Sequence, residues 1–396
     1  MKICIIGPVV IPILGRDQKY GGIETVVSIA EEEMVKRGHD VYVFASGDSK
    51  VTSKLVATTP TALGQGVSFA KEKECNRIAY ELALAERPDV IWDNTLAVYA
   101  QEMRENKSKF LFKADIVLRP EELINTGDTP IVQTWHGPAK DHLPKLIHDL
   151  SDAGQYFVSI SKDQARRYLE CFNIKNHLGT VYNAVNTDFY TVNYNKKGDY
   201  LLWVGRFCME KGPHIAIEVA HKIGMPIKLI GKKAEKHETD YYDKFVAPRL
   251  GPNDEYLGMS TLDEKAKLMR NAKAVMMTNL WAEPFGLVVA EAMASGTPVV
   301  GPALGSLTEM IDQSGVLVPV DDLGINENDT EVTDSQLKYI DRIAKYMKKV
   351  DSIPPQVPRK RAEFLFSPRH NVDGYEEAFS KAMFLKEQET KALIEK

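Results

Sequence analysis

Short apolar runs alternate with amphipathic stretches along the first half of the chain. Five runs have the length and the β-branched or aromatic content of buried strands: residues 2–7, 40–45, 89–92, 130–133 and 156–160. Three stretches between them have the apolar spacing of helices: residues 23–37, 76–86 and 162–171. Because strands that alternate with helices form parallel sheets, this pattern predicts an α/β fold.

The pattern stops in a polar segment, residues 193–199, and then restarts. Strands are predicted at residues 200–204, 227–230, 274–277, 298–301 and 316–319, helices at residues 214–222, 335–349 and 374–395, and a polar loop at residues 321–333. We therefore predict two Rossmann-like domains, residues 1–192 and 199–370, and a C-terminal helical segment, residues 371–396.

Composition agrees with two soluble domains. The chain of 396 residues is too long for one ordinary core, and its 44% hydrophobic and 27% charged residues are typical of a soluble globular protein. No apolar run approaches the roughly 20 residues that cross a bilayer, and no signal peptide precedes the first strand, so we expect a cytoplasmic protein. The net charge of −5 argues against nucleic-acid binding. Four isolated cysteines are expected to be free thiols: Cys4, Cys75, Cys171 and Cys208.

Glu291 stands in an almost wholly apolar helical stretch. Pro284 suits the first turn of a helix and Gly296 its end, so we predict one short buried helix with Glu283 at its mouth. A buried carboxylate needs a partner, and two alternatives are open: a Lys or Arg side chain, or the hydroxyls of a ligand diol. Eight helical residues rise about 12 Å, roughly the reach between the ends of a nucleotide sugar, and a helix N-terminus suits a diphosphate.

Arg206 and Lys211 lie in a loop, Gly-Arg-Phe-Cys-Met-Glu-Lys-Gly, directly after the predicted strand 200–204. Ligands of open α/β sheets bind at the carboxyl ends of strands. Two cations at such a point suit a diphosphate leaving group, whose charge grows as the bond to it breaks. The alternative is an exposed basic loop.

Gly21, Gly22 and His136 are the candidates in the first half of the chain. The two glycines open the helix after the first loop, where bare amides can approach a phosphate, although a plain turn explains them equally well. His136 follows the predicted strand 130–133 within Thr-Trp-His-Gly-Pro and is either a structural residue or a ligand-positioning one.

Motifs for a metal or a nicotinamide cofactor are absent from the sequence. There is no Asp-x-Asp, and His136, His142 and His148 recur at a spacing that does not stack them on one helical face. The first strand is not followed by Gly-x-Gly-x-x-Gly. We expect no bound metal and no cofactor besides a donor substrate.

The stretch from Glu283 to Glu291, with Phe-Gly-Leu after the first glutamate, resembles the Glu-x7-Glu signature of the family-four retaining glycosyltransferases. The Gly-Arg-x4-Lys-Gly loop ahead of it and the Thr-x-His-Gly segment extend the resemblance over most of the chain. It implies a GT-B fold, in which two Rossmann-like domains face each other across a cleft and a C-terminal helix crosses back to the first domain. It also implies a retaining, metal-independent transfer of a hexose from a nucleoside diphosphate sugar to an acceptor hydroxyl.

The resemblance also implies residue roles. Four residues would act in catalysis: His136 near the transferred sugar, Arg206 and Lys211 on the diphosphate, and Glu283 on sugar hydroxyls. Eight residues would contact the donor: Gly21, Gly22, Arg206, Lys211, Phe285, Gly286, Leu287 and Glu291, the last at the ribose diol. The first domain would bind the acceptor, which is a sugar, a glycan or a glycolipid.

Several alternatives stay open at this point. Ala184 stands where many family members have glycine. Lys232 and Lys233 follow Gly231 where members often have a further glycine, so the base of the donor stays open between uridine, guanosine and adenosine. A glycan phosphorylase, a nucleotide-sugar epimerase and a non-catalytic nucleotide-sugar-binding protein share this fold. Residues 107–119 alternate basic and apolar residues, which is typical of a solvated helix face or of a contact with the inner face of the cell membrane that carries a lipid acceptor.

Overall fold

The computed structural model describes residues 1–95, 128–138, 147, 150–172, 174–195, 198–320 and 332–394. It divides into two compact units: Met1–Ala184 with Pro368–Lys396, and Val185–Ser367. The segment at residues 193–199, predicted as the boundary, lies within the second unit. Residues before it belong there because Val185 N–H donates to the Phe366 carbonyl oxygen at 2.9 Å and the Arg359 guanidinium donates to the Tyr190 carbonyl oxygen.

Most strands have four to six residues. They are β1 Lys2–Ile6, β2 Asp40–Ser46, β3 Lys54–Thr59, β4 Val90–Asp93, β5 Ile131–Thr134, β6 Tyr156–Ser159, β7 His177–Thr180, β8 Leu201–Val204, β9 Ile227–Ile230, β10 Glu255–Tyr256, β11 Ala274–Met276, β12 Val299–Pro302 and β13 Gly315–Val318.

The α-helices of the described residues lie between these strands and after them. They are α1 Gly22–Lys36, α2 Phe69–Ala85, α3 Lys162–Phe172, α4 Pro213–Lys222, α5 Lys236–Tyr241, α6 Leu262–Asn271, α7 Leu287–Ala294, α8 Leu307–Ile311, α9 Asp334–Tyr346, α10 Gln356–Phe366 and α11 Pro368–Ile394.

The described part of the first unit contains one sheet of seven parallel strands in the order β3-β2-β1-β4-β5-β6-β7. Its core includes the apolar side chains of β1, β2 and β4 and the inner face of α1. The C-terminal helix α11 completes this core: Tyr375 and Phe379 pack beside Trp92, with ring centroids 4.3 and 6.2 Å from the indole. The helical segment predicted at the C-terminus therefore belongs to the first unit.

The second unit contains a sheet of six parallel strands among its described residues, in the order β10-β9-β8-β11-β12-β13. Its core joins α4 and α9 to the apolar side chains of the central strands. Helix α7 is buried along most of its length, including Glu291, as its apolar sequence predicts. Each unit is thus Rossmann-like, as predicted.

Helix α7 begins later than predicted. It starts at Leu287, and Gly286 is its N-cap with φ +92°, so Glu283 and Pro284 lie in the preceding loop. The left-handed conformation of Gly286 interrupts the helix that Pro284 would otherwise start. The end at Ala294 agrees with the prediction, since Gly296 follows with φ +69°.

Two sequence-based predictions fall outside the described residues: the basic and apolar segment 107–119, and the predicted loop 321–333 except for its last two residues. Within the described ranges, no helix has the length and apolarity needed to cross a membrane. Cys4, Cys75 and Cys208 are buried and form no disulfide in the described residues, and the Cys171 side chain lies outside them.

Candidate active site

Each sheet has a point at which the strand order reverses, and the candidate residues lie beside these points. In the second sheet, β9 and β10 lie on one side of β8, and β11, β12 and β13 lie on its other side. The strand order therefore reverses between β8 and β11. The loops after β8 and β11 therefore leave the carboxyl edge in opposite directions and open a crevice, which is where open α/β sheets bind ligands. Lys211 follows β8, and Glu283 follows β11.

The structure brings Lys211 and Glu283 into direct contact. The Lys211 ammonium donates to Glu283 Oε2 at 2.5 Å, and their side chains are 19% and 11% exposed. The Asn279 amide nitrogen donates to the same oxygen, also at 2.5 Å. No partner of Glu283 Oε1 is found among the described residues, so this oxygen can accept hydrogen bonds from a ligand.

The backbone holds these two loops together. Gly212 has φ +59°, and a Cβ atom at this position would collide with the Thr278 carbonyl oxygen. The Thr278 hydroxyl donates to the Gly212 carbonyl oxygen at 2.7 Å, and Leu280 N–H donates to the Glu210 carbonyl oxygen at 2.8 Å. The glycine therefore permits the close approach that puts Lys211 within reach of Glu283.

A second turn fixes the backbone at Glu283. Gly305 has φ +62°, and a Cβ atom there would lie 2.8 Å from both the nitrogen and the oxygen of Glu283. Ser306 N–H donates to the Glu283 carbonyl oxygen at 3.0 Å, and the Ser306 hydroxyl donates to the Phe285 carbonyl oxygen at 2.7 Å. The Phe285 ring is buried against Phe366. These contacts hold the loop ahead of α7 in addition to the hydrogen bonds that the Glu283 carboxylate accepts.

Glu291 has one partnered and one unpartnered oxygen. The Lys265 ammonium donates to Oε1 at 2.6 Å, whereas Oε2 is buried without a hydrogen bond to any described residue. Burial raises the pKa of the Tyr190 phenol, and the Glu291 carboxylate raises it further. The phenol therefore lies close to the Glu291 carboxylate, and its O–H is a candidate protein donor to it. Because leaving a buried carboxylate oxygen unpaired is costly, Oε2 is suited to a ligand hydroxyl.

Arg206 and Trp281 complete the surroundings in the second unit. Arg206 lies two residues past β8 with an exposed side chain. The Lys211 ammonium lies 5.3 Å from the centre of the Trp281 ring, and the buried indole nitrogen of Trp281 has no partner in the described ranges. Gly286 and Leu287 form the start of α7, which no side chain of the described residues caps. The predicted donor residues of this unit therefore lie on the loops that follow β8 and β11 and on α7.

In the first unit, Gly21 and Gly22 open helix α1, as the sequence predicts. Gly21 is the N-cap with φ +118°, and a Cβ atom there would overlap the Glu24 carboxylate. The Gln18 side chain holds the preceding loop, because its amide nitrogen donates to the Tyr20 carbonyl oxygen at 2.5 Å and its amide oxygen accepts from Leu14 N–H at 2.8 Å.

His136 is half-buried beyond the end of β5, where it contacts Asn94 at the end of β4. Its Nε2 lies 2.9 Å from Asn94 Oδ1. Burial lowers the pKa of His136 to about 4, so the ring is neutral at pH 7 and donates Nε2–H to the amide oxygen. Gln164 on α3 holds the loop by donating to the carbonyl oxygens of Trp135 and Gly137 at 3.1 and 2.8 Å. His136 therefore presents Nδ1 as an acceptor.

Sequence reasoning did not single out Glu24, Asn94, Lys265 or Asn279. Asn94 and Asn279 share a signal that could have found them, since each is a polar residue directly or shortly after an apolar strand, at the edge where ligands bind. No sequence pattern near Glu291 indicates Lys265 as its partner, because Lys265 lies on a separate helix.

The described residues contain no group of three or more His, Cys, Asp or Glu side chains that could hold a metal ion. His142 and His148 lie outside these residues.

Two family models cover adjacent parts of the chain. Residues 20–189 match Glycosyltransferase Family 4, and residues 186–329 match Glycosyl transferases group 1. The two matches meet near the division between the structural units.

Curated relatives match part of the chain. An uncharacterized glycosyltransferase of Methanocaldococcus jannaschii is 35% identical over 203 residues, which are 48% of this chain and 53% of that protein. The phosphatidyl-myo-inositol mannosyltransferase of Mycobacterium tuberculosis is 26% identical over 50% of this chain and 55% of its own length. The chain thus spans about half the length of these relatives.

Solved structures match nearly the whole chain. A glycosyltransferase involved in avilamycin A biosynthesis superposes with a TM-score of 0.67, at 19% identity, over 97% of this chain and 98% of its own. Anabaena HepE, solved in complex with UDP and glucose, has a TM-score of 0.65 at 16% identity, over 96% of this chain and 100% of its own. These likenesses define a GT-B fold. The chain belongs to glycosyltransferase family 4.

Proposed function

We propose that the protein is a retaining, metal-independent glycosyltransferase that moves a hexose from a nucleoside diphosphate sugar to an acceptor hydroxyl. The observation that carries this proposal is the hydrogen-bonded group of Lys211, Glu283 and Asn279 at the switch point of the second sheet. It combines a cation for a leaving phosphate with a carboxylate for sugar hydroxyls, which are the two groups that a sugar diphosphate needs.

Lys211 and Arg206 neutralise the diphosphate in this proposal. The ammonium of Lys211 has three donors, and one of them bonds Glu283 in the ligand-free protein. The other donors can reach a phosphate without breaking that contact. Because the charge on the diphosphate grows as the bond to the sugar breaks, both cations stabilise the transition state more than the bound donor. They would supply the charge that a divalent metal supplies in other transferases.

Glu283 and Glu291 bind the two ends of the donor. Asn279 and Lys211 hold Glu283 Oε2, so that Oε1 accepts from hydroxyls of the transferred hexose. Lys265 holds Glu291 Oε1, so that the buried Oε2 accepts from the ribose diol. The first N–H groups of α7, from Gly286 onward, lie between the two carboxylates along the chain and suit the diphosphate. Gly21 and Gly22 at the start of α1 offer further bare amides.

The reaction breaks the bond between the anomeric carbon and the diphosphate oxygen and forms a bond from the acceptor oxygen on the same face. The acceptor proton passes to the departing phosphate oxygen, so that atoms and charges balance. His136, neutral at pH 7, accepts a hydrogen bond from the transferred sugar or the acceptor through Nδ1.

The relatives support these substrate classes. HepE was solved with UDP and glucose, and the mycobacterial relative is named for transferring mannose to phosphatidyl-myo-inositol. A hexose donor and a sugar, glycan or glycolipid acceptor agree with both names. We propose that the protein acts in the cytoplasm, and that a lipid acceptor would bring it to the inner face of the cell membrane.

A thermal-shift panel of uridine, guanosine and adenosine diphosphate sugars tests the proposal, because a ligand that binds the native state raises the unfolding temperature. We expect one base to stabilise the protein and the corresponding donor to be turned over slowly to free sugar. Stabilisation without turnover, with any acceptor offered, would indicate a sensor instead. Interconversion of the donor sugar would indicate an epimerase, and release of sugar 1-phosphate from glycan and phosphate would indicate a phosphorylase.

A further inference from the structure

Helix α1 buries two carboxylates with different surroundings. Glu31 is 1% exposed and accepts from Thr52 N–H, the Thr52 hydroxyl and Ser53 N–H at 2.9 to 3.0 Å. Glu24 is 6% exposed, and its carboxylate accepts from its own backbone N–H, with the Gln18 amide nitrogen on the same side of Gly21. The fold therefore surrounds one buried carboxylate with donors and gives the other few. The Glu24 oxygens are not among the fully buried unpartnered atoms, so they stay open to a hydrogen-bond donor from outside the protein.

The position of Glu24 points to a ligand. The residue lies in the first turn of α1, and its carboxylate fills the space beside the Cα atom of Gly21. This turn follows β1, which is one of the two strands at the switch point of the first sheet. A glutamate near a helix N-terminus is favoured by the helix dipole, but that effect does not require burial away from donors.

Asn94 lies on the other side of the same switch point. It is the first residue after β4, the strand that pairs with β1. Its Oδ1 accepts from His136, whereas its Nδ2 is buried without a partner in the described part of the chain. Two polar groups of opposite kind, the Glu24 carboxylate and an amide N–H that lacks an acceptor, thus follow the two strands of one switch point.

We propose that Glu24 and Asn94 bind two hydroxyl groups of an uncharged polyhydroxyl acceptor, such as a free hexose or the terminal sugar of a glycan. One hydroxyl donates to the Glu24 carboxylate, and another accepts from Asn94 Nδ2. This inference rests on the proposed function, since it assigns the acceptor to the first unit. Ionised Glu24 repels a phosphate or carboxylate at this point, so we expect the part of the acceptor that binds here to carry no negative charge.

The ionisation of Glu24 offers a direct measurement. Burial raises the pKa of Glu24 to about 7. A hydroxyl that donates to the carboxylate stabilises its ionised form and so lowers that pKa. Glu31, whose donors all come from the protein, provides the internal reference.

The first experiment is a pH titration by NMR of protein labelled with ¹³C at glutamate side-chain carboxyls. The Glu24 resonance is assigned from E24Q, or from E24D if E24Q does not fold, and the titration itself uses the wild-type protein. The probes are glucose, galactose, mannose, N-acetylglucosamine and inorganic phosphate. We expect at least one sugar to lower the pKa of Glu24 while the Glu31 resonance stays unchanged. The proposal fails if no sugar moves Glu24, or if phosphate has the same effect as the sugars.

The second experiment measures transfer to the sugar that binds, with the donor found in the thermal-shift panel. Loss of a hydrogen bond to a charged group predicts that E24Q raises the acceptor KM about tenfold or more, while the affinity for the nucleoside diphosphate stays at the wild-type value. E31Q on the same helix is the matched control and keeps the wild-type acceptor KM. Equal effects of E24Q and E31Q would assign Glu24 a structural role and overturn the proposal. Absence of donor binding in the wild-type protein would instead refute the proposed function, and the NMR result would still decide whether Glu24 binds sugar.

Discussion

Replacing Glu291 by glutamine tests the assignment of the ribose site most directly. The substitution keeps the size of the side chain but removes its charge, and it changes the buried Oε2 that has no described partner. Glutamine also places an amide nitrogen near Lys265, whose ammonium now donates to Oε1 at 2.6 Å. We therefore expect weaker nucleotide binding and a modest loss of stability.

The two effects have different expected sizes. Hydrogen bonds to a charged group contribute about 1.5–3 kcal/mol, so E291Q should raise the Kd of the nucleoside diphosphate roughly ten- to a hundredfold. The Lys265 side chain is 21% exposed and can turn toward water when its partner is lost. The free energy of unfolding should therefore fall by only about 1–2 kcal/mol, less than for a fully buried pair.

Calorimetry with ribose and 2′-deoxyribose forms of the same diphosphate gives the sharper readout. The wild-type protein should prefer the ribose form, and E291Q should lose most of that preference, because the diol no longer meets a carboxylate. E218Q is a matched control, since Glu218 pairs with Arg249 at 3.1 Å and has no assigned role. A folded E291Q protein that retains the ribose preference would refute the assignment.

Five further outcomes are expected. K211M should lower kcat about a hundredfold or more with a smaller change in donor affinity, and a change in KM alone would contradict a role on the leaving group. Activity should survive EDTA, and a loss of activity that magnesium restores would contradict the metal-independent mechanism. NMR of the first product from an α-linked donor should show an α linkage, and a β linkage would contradict retention. G305A should cost about 2 kcal/mol or more of stability and disturb Glu283, whereas G224A, with φ +71° but open space around it, should cost less. Burial lowers the pKa of His136 to about 4, so between pH 4 and 6.5 the unfolded chain binds more protons than the folded chain. The free energy of unfolding should therefore fall as the pH drops through this window. H136Q should reduce that fall by about 2 kcal/mol.

The fold class could be predicted because parallel strands with both faces buried appear as uninterrupted apolar runs. The strands that sequence reasoning missed lack such runs. Strand β7 reads His-Leu-Gly-Thr and is partly exposed, β10 has two residues, and β3 pairs only with β2 at the edge of its sheet. Their conformation depends on the neighbouring strand, which a local pattern does not reveal.

The candidate site was predictable where it depends on local motifs. The stretch from Gly205 to Gly212 and the stretch around Glu283 each carry their chemistry within a few residues of a strand end. The partners of the carboxylates were not predictable, because they come from other elements. For Glu291, the structure confirms the alternative of a lysine partner, since Lys265 binds Oε1, whereas a ligand hydroxyl at Oε2 stays a prediction. The start of α7 was misplaced because the preference of proline for a first turn competed with the positive φ of Gly286.

In the loop at Glu283, backbone contacts help to fix the conformation, whereas the side chain supplies the functional group. Ser306 N–H bonds the carbonyl oxygen of Glu283, and Gly305 packs against the backbone of the same residue. Neither contact uses the carboxylate. We therefore expect a substitution of this side chain to leave the backbone conformation of the loop largely unchanged. In the proposed function, the sugar contact resides in a side chain and the amides that face the diphosphate reside in the backbone, so we expect substitution at Glu283 to alter the first without the second.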